Sequence, residues 1–268
     1  MRLSTLRMSA SVGVVAISAL IGSATVASAE IKTRVVEYSQ GGTPLQGFIA
    51  WDDATTAKRP GILVVHEWWG HNEHARNQAK RFAAAGYVAM ALDMFGKGKV
   101  TTHPDEAMKF MTEANKDPAA RTARFNAALA ELKKDPHVDP EKIGAVGYCY
   151  GGNVVLSQAR SGADLDAVAS FHGALGGLPP AAPGQVKARV LVLTGGADSM
   201  VPPDQVEAFK RDMTAAHANF NVIVYAGAKH SFTNPAADSV GMPELAYNAD
   251  ADTQSFAEAI KMFGEVFK

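Results

Sequence analysis

Short runs of consecutive apolar residues recur along the chain, separated by stretches whose apolar positions return every three or four residues. The runs lie at 61–65, 87–92, 143–147, 167–171, 189–194 and 220–225. A strand covered on both faces has no polar side to present, so these runs point to a parallel sheet buried between layers. Helical spacing falls at 73–85, which stops at Gly86, and in two pieces over 104–134 that break near Lys116-Asp117-Pro118. It returns from about 151 to 160, at 203–216 and at 251–266. Nearer the start, strands at 33–38 and 45–51 flank Gln40-Gly41-Gly42-Thr43-Pro44 and read as a hairpin. Strands alternating with helices predict an α/β fold with a doubly wound, mostly parallel sheet and helices on both faces. Ligands of such sheets sit beyond the carboxyl ends of the strands. Glu67, Cys149, His172, Asp198 and His230 all fall at or just past such ends.

The first 29 residues stand apart. Arg2 and Arg7 form a short basic head, residues 8–29 carry no charge, and the stretch closes on Ala27-Ser28-Ala29. That is the pattern of a signal peptide cleaved before Glu30, leaving one domain over 30–268 in the periplasm or outside the cell, with no stable membrane association. A retained anchor is the competing reading, since the uncharged stretch is long enough to span. The whole chain has a formal net charge of −1, a charged fraction of 20% and no long block of one sign. Nothing in this balance favours nucleic acid as a partner. The expected form is a monomer acting on a small molecule.

Cys149 is the only cysteine in 268 residues. An internal disulfide is therefore impossible, and a free thiol in an oxidising compartment calls for a purpose such as chemistry. Its setting, Gly147-Tyr148-Cys149-Tyr150-Gly151-Gly152 directly after an apolar run, is the strand-to-helix nucleophile elbow of an α/β-hydrolase, with sulfur where a hydroxyl is usual. Partners follow in the order that fold uses: Asp198 after one strand and His230 after another. An imidazole beside a thiol raises its thiolate fraction, and a carboxylate behind the imidazole fixes its tautomer. His172 precedes Asp198, breaks that order and reads as a pocket residue. Asp93 reads as a turn or capping residue. The oxyanion needs two backbone N–H donors, and Tyr150 and Trp68 are placed to supply them. Trp69, Phe232 and Ser231 join the expected pocket. His66, Glu67, His71 and His74 crowd together, yet His66 and His71 are one residue too far apart for the helical zinc motif and Gly70 interrupts them, so no metal is expected.

Taken jointly, His66-Glu67-Trp68-Trp69-Gly70, Ala85-Gly86-Tyr87-Val88, Leu92-Asp93-Met94-Phe95, the Gly-x-Cys-x-Gly-Gly elbow, the Gly-x-x-Asp loop and Gly-Ala-x-His-Ser-Phe resemble the dienelactone hydrolase family from about residue 33 to 268. The resemblance implies a Cys149–His230–Asp198 triad, hydrolysis of a small ester or lactone through a thioester, and no cofactor. It also implies that Glu67 contacts the resting thiol and helps deprotonate it. Family arginines that hold a substrate carboxylate are replaced: Lys97 and Asn234 stand at those places, and Lys97 is expected with Ser231 as a polar contact in the pocket. Lysine lacks the planar fork and asparagine lacks charge, so the namesake substrate is in question while the hydrolytic set is complete. A broader carboxylesterase or thioesterase would use the same residues. A non-catalytic binder or thiol redox sensor would leave Asp198 and His230 without a role.

Overall fold

The computed structural model describes residues 30–268, so the expected leader lies outside the described residues. Strands β1 (Ile31–Gln40) and β2 (Thr43–Asp52) form the antiparallel hairpin, joined by the two-residue turn Gly41-Gly42. β3 (Arg59–Val65), β4 (Val88–Leu92), β5 (Val138–Tyr148), β6 (Ala167–Phe171), β7 (Arg189–Gly195) and β8 (Phe220–Tyr225) complete one sheet. Its order is β1-β2-β4-β3-β5-β6-β7-β8, antiparallel at β1–β2 and β2–β4 and parallel from there on.

Alternate residues of the apolar runs serve opposite layers, as the two-residue period of a strand requires. In β3, Leu63 and Val65 pack into a core with Phe125, Leu132, Val154 and Phe209, while Ile62 and Val64 pack with Phe82, Tyr87 and Phe263 on the other face. The first layer is made by α2 (Pro104–Asn115), α3 (Pro118–Lys133), α4 (Tyr150–Arg160) and α5 (Pro203–Ala215); the second by α1 (Glu73–Ala84) and α6 (Ala249–Val266). Local chemistry sets the helix starts. Asn72 and Asn248 accept the amides of Ala75 and Ala251, and Asp117 accepts those of Ala119 and Ala120 with Pro118 in the first turn. The Asp117-Pro118 pair is thus what separates α2 from α3. The short helix at Ala237–Val240 had no periodic signal.

The elbow between β5 and α4 decides what the fold can do. Cys149 sits at φ 53°, ψ −114°, a region that side chains rarely adopt. Two glycines make this possible by close approach: a Cβ on Gly147 would fall onto the Gly151 carbonyl, and one on Gly151 onto the carbonyl of Val65. No side chain fits at either place, so the glycine spelling follows from the turn itself.

Candidate active site

The carboxyl ends of β3, β5, β7 and β8 bring Trp68, Cys149, Asp198 and His230 to one side of the sheet. His230 donates from Nδ1 to Asp198 Oδ2 at 2.9 Å, and both side chains are buried. The other carboxylate oxygen, Oδ1, accepts the amides of Met200 (2.9 Å) and Val201 (3.2 Å). Asp198 therefore organises its own turn and orients the imidazole with separate oxygens. The far ring nitrogen, Nε2, is buried, makes no well-formed hydrogen bond and has the Cys149 sulfur as its polar neighbour. Burial by itself would lower the His230 pKa. The charge interaction and hydrogen bonding with Cys149 and the bond to Asp198 together outweigh it, and the pKa is pushed up to about 10.

Cys149 and His230 open onto an apolar cavity of about 480 Å³. Trp68 and Tyr150 line it as well, and neither of their amides is taken by a carbonyl or side chain among the described residues. The rest of the wall includes Met108 and Met111 of α2, Arg121 of α3, Asn153, Met200 and Leu245. Besides His230, Arg121 is the one cationic side chain among the described lining residues, which include no Asp or Glu. Its guanidinium donates to the neutral oxygens of Asn115 (2.9 Å) and Ser157 (3.2 Å).

The remaining expected site residues lie elsewhere, and their assignment to the pocket is corrected. Trp69 is buried beside Trp68 with ring centroids 4.8 Å apart, and Phe232 is core, packed on Tyr225 and His172. Lys97 points to the surface and pairs with Glu37 at 3.1 Å, both side chains half exposed. Ser231 donates to Glu67 Oε1 at 2.8 Å and Asn234 to Glu67 Oε2 at 2.6 Å, all three being buried. Glu67 is thus bound to the loop after His230, and among the described residues its side-chain hydrogen bonds go to Ser231 and Asn234 and not to the thiol. His172 is buried and doubly bonded: Nδ1 accepts the Cys149 amide at 3.1 Å, and Nε2 donates to Thr233 Oγ1 at 2.8 Å. With both nitrogens engaged it is unavailable as the base. Burial, then the neighbouring His230, holds its pKa well below the usual histidine value.

One further expectation, the turn at Asp93, is met. Asp93 Oδ1 accepts the amides of Phe95 and Gly96, each at 2.8 Å, so it does hold a turn. His66 donates from Nδ1 to the Glu67 carbonyl and accepts the Met94 amide on Nε2 at 3.1 Å, so both of its ring nitrogens are engaged. Sequence reasoning missed Met108, Met111, Arg121, Met200, Leu245 and Thr233. Their places come from how helices and loops cross the sheet end, which leaves no local mark.

The eight-stranded sheet and its strand-to-helix elbow define an α/β-hydrolase. Residues 45–267 match the dienelactone hydrolase family, to which the chain belongs, and it is a carboxylic ester hydrolase. Protein usf of Aquifex pyrophilus is 30% identical over 224 residues, covering 81% of this chain and 94% of that protein. A solved dienelactone hydrolase-like promiscuous phosphotriesterase from metagenomic libraries is 35% identical, with TM-score 0.82, and the match covers 88% of this chain and 98% of that one. The dienelactone hydrolase of Anabaena variabilis shares the fold at 20% identity and TM-score 0.65, over 88% and 98% of the two chains.

Proposed function

We propose that the protein hydrolyses a small ester or lactone through a thioester on Cys149. The observation that carries this reading is the buried His230–Asp198 pair with its free ring nitrogen beside a sulfur held at a strained elbow. The thiolate attacks the carbonyl carbon, a C–S bond forms, and the π electrons move to oxygen, where the Trp68 and Tyr150 amides receive the charge. On collapse the C–O bond breaks, and the leaving oxygen takes the proton from His230. His230, now neutral, removes a proton from water. The resulting hydroxide attacks the thioester, the C–S bond breaks, and acid and thiolate are released beside the imidazolium. Asp198 holds the tautomer throughout. Glu67 acts here as a brace of the base-bearing loop through Ser231 and Asn234.

The cavity also biases the substrate. Its apolar wall favours a hydrocarbon acyl or alcohol group, and the Arg121 guanidinium, with no Asp or Glu in the lining, favours neutral or anionic esters over cationic ones. Placing arginines at 97 and 234 would not add a cation to this cavity, because Lys97 faces solvent and Asn234 faces Glu67. The test uses matched aryl esters with neutral, carboxylate and ammonium acyl ends, before and after alkylation by iodoacetamide. The anionic ester should exceed the cationic one in kcat/KM by about tenfold, roughly one modest charge interaction. Alkylation of the single cysteine should stop all three reactions. Activity that survives complete alkylation would refute the thioester route.

For the leader we propose export with cleavage, giving a periplasmic or secreted form whose N-terminal sequence starts at Glu30. A mature protein that starts at Met1 would contradict it. Among the described residues no helix is long and apolar enough to cross a membrane.

A further inference from the structure

We propose that His172 is a positioning residue that ties the nucleophile's backbone to the loop carrying the base. Among the described residues, three of the four non-glycine positions with positive φ are Cys149 (53°), His172 (41°) and Ser231 (56°), so backbone strain is concentrated at this one place. Such conformations persist only where the surroundings hold them. The Cys149 amide is held twice, by the Phe171 carbonyl at 3.0 Å and by His172 Nδ1 at 3.1 Å. Because Nδ1 accepts, the proton of the neutral ring sits on Nε2, and Nε2 donates to Thr233 Oγ1 at 2.8 Å. A second proton on Nδ1 would set two donors face to face, so the link requires the neutral ring. Tyr148, His230 and Phe232 surround it at ring-centroid distances of 6.0, 5.3 and 5.1 Å and fix its plane.

The result is a chain of two hydrogen bonds from the amide of Cys149 to a residue three positions beyond His230. It sets where the sulfur stands relative to Nε2 of His230 without touching substrate. His172 thereby has a purpose that its place at a strand end does not disclose. The inference rests on the Cys149–His230 chemistry proposed above.

The experiment compares His172→Phe, which keeps a ring and removes both bonds, with His172→Asn, whose Oδ1 can still accept the Cys149 amide, and Thr233→Val, which cuts only the second link. Each variant is measured for kcat and KM on a 4-nitrophenyl ester, for melting temperature and for thiolate absorbance at 240 nm. The chain has one cysteine, so that band reports Cys149 once a Cys149→Ser background is subtracted. In His172→Phe, kcat should fall by about 10²-fold, the scale of a misplaced reacting group, with KM within a few-fold and the thiolate band reduced. His172→Asn should recover most of both signals, and Thr233→Val should lose about tenfold in kcat. Should His172→Phe not fold, the other two decide. Wild-type kcat and thiolate absorbance in Thr233→Val, or no recovery in His172→Asn relative to His172→Phe, would overturn the proposal. Loss of activity in Cys149→Ala alongside such normal behaviour would leave the thioester reading standing and remove only this one. Activity retained in Cys149→Ala would remove both.

Discussion

Cys149→Ala should reduce hydrolysis of a short-chain aryl ester by on the order of 10⁵-fold, read as 4-nitrophenol release above the uncatalysed rate. Nucleophile removal elsewhere has an effect of this size because the partners act as a unit and little remains once one is gone. The residual rate would come from the amides of Trp68 and Tyr150 and from binding in the cavity. Folding should be nearly unaffected. Cys149 is only partly buried, and the elbow is held by backbone contacts at Gly147 and Gly151 that alanine at 149 does not disturb. Near-wild-type hydrolysis by this variant would end the assignment of sulfur as the nucleophile.

The second large effect is expected of Asp198→Asn, a loss of about 10⁴-fold in kcat. Asparagine can retain the Oδ1 bonds to Met200 and Val201, so the turn survives. An NH₂ group in place of Oδ2 would face the Nδ1 proton of His230, and the ring would turn over to the wrong tautomer. The pH profile provides an independent check. In the wild type His230 keeps its proton until pH rises through about 10, so kcat/KM should hold up to there and decline above it. The hydrogen bond that His230 donates to Asp198 is one cause of that raised value, so in Asp198→Asn the alkaline limb must move to lower pH. An unmoved limb, or a loss below tenfold, would mean the carboxylate serves the turn alone.

Much of this site could be read in the sequence because its parts are written locally. The apolar runs gave the strands, and the ends of those runs gave the side of the sheet on which Cys149, Asp198 and His230 would meet. The glycine frame gave the elbow, since only glycine fits beside the carbonyls of Gly151 and Val65. What a strand end cannot disclose is the direction of the side chain that follows it. Trp69, His172, Ser231 and Phe232 all stand near the right end of the sheet, yet they turn into the core or toward Glu67 and Thr233. Lys97 goes the other way, to Glu37 in solvent. The cavity wall was hidden for a related reason. Met108, Met111 and Arg121 belong to helices whose amphipathic pattern announces burial against the sheet, and the pattern is silent about which residues overhang its edge.

The bond between substrate and sulfur is the step that a thioester route cannot do without. Wild-type enzyme quenched in acid during turnover of 4-nitrophenyl propionate, digested and weighed by mass spectrometry, should carry one propionyl group on the peptide that contains Cys149. Hydroxylamine should release it, and Cys149→Ala should show none. Propionyl found on a different residue, or steady turnover with Cys149 never acylated, would contradict the account.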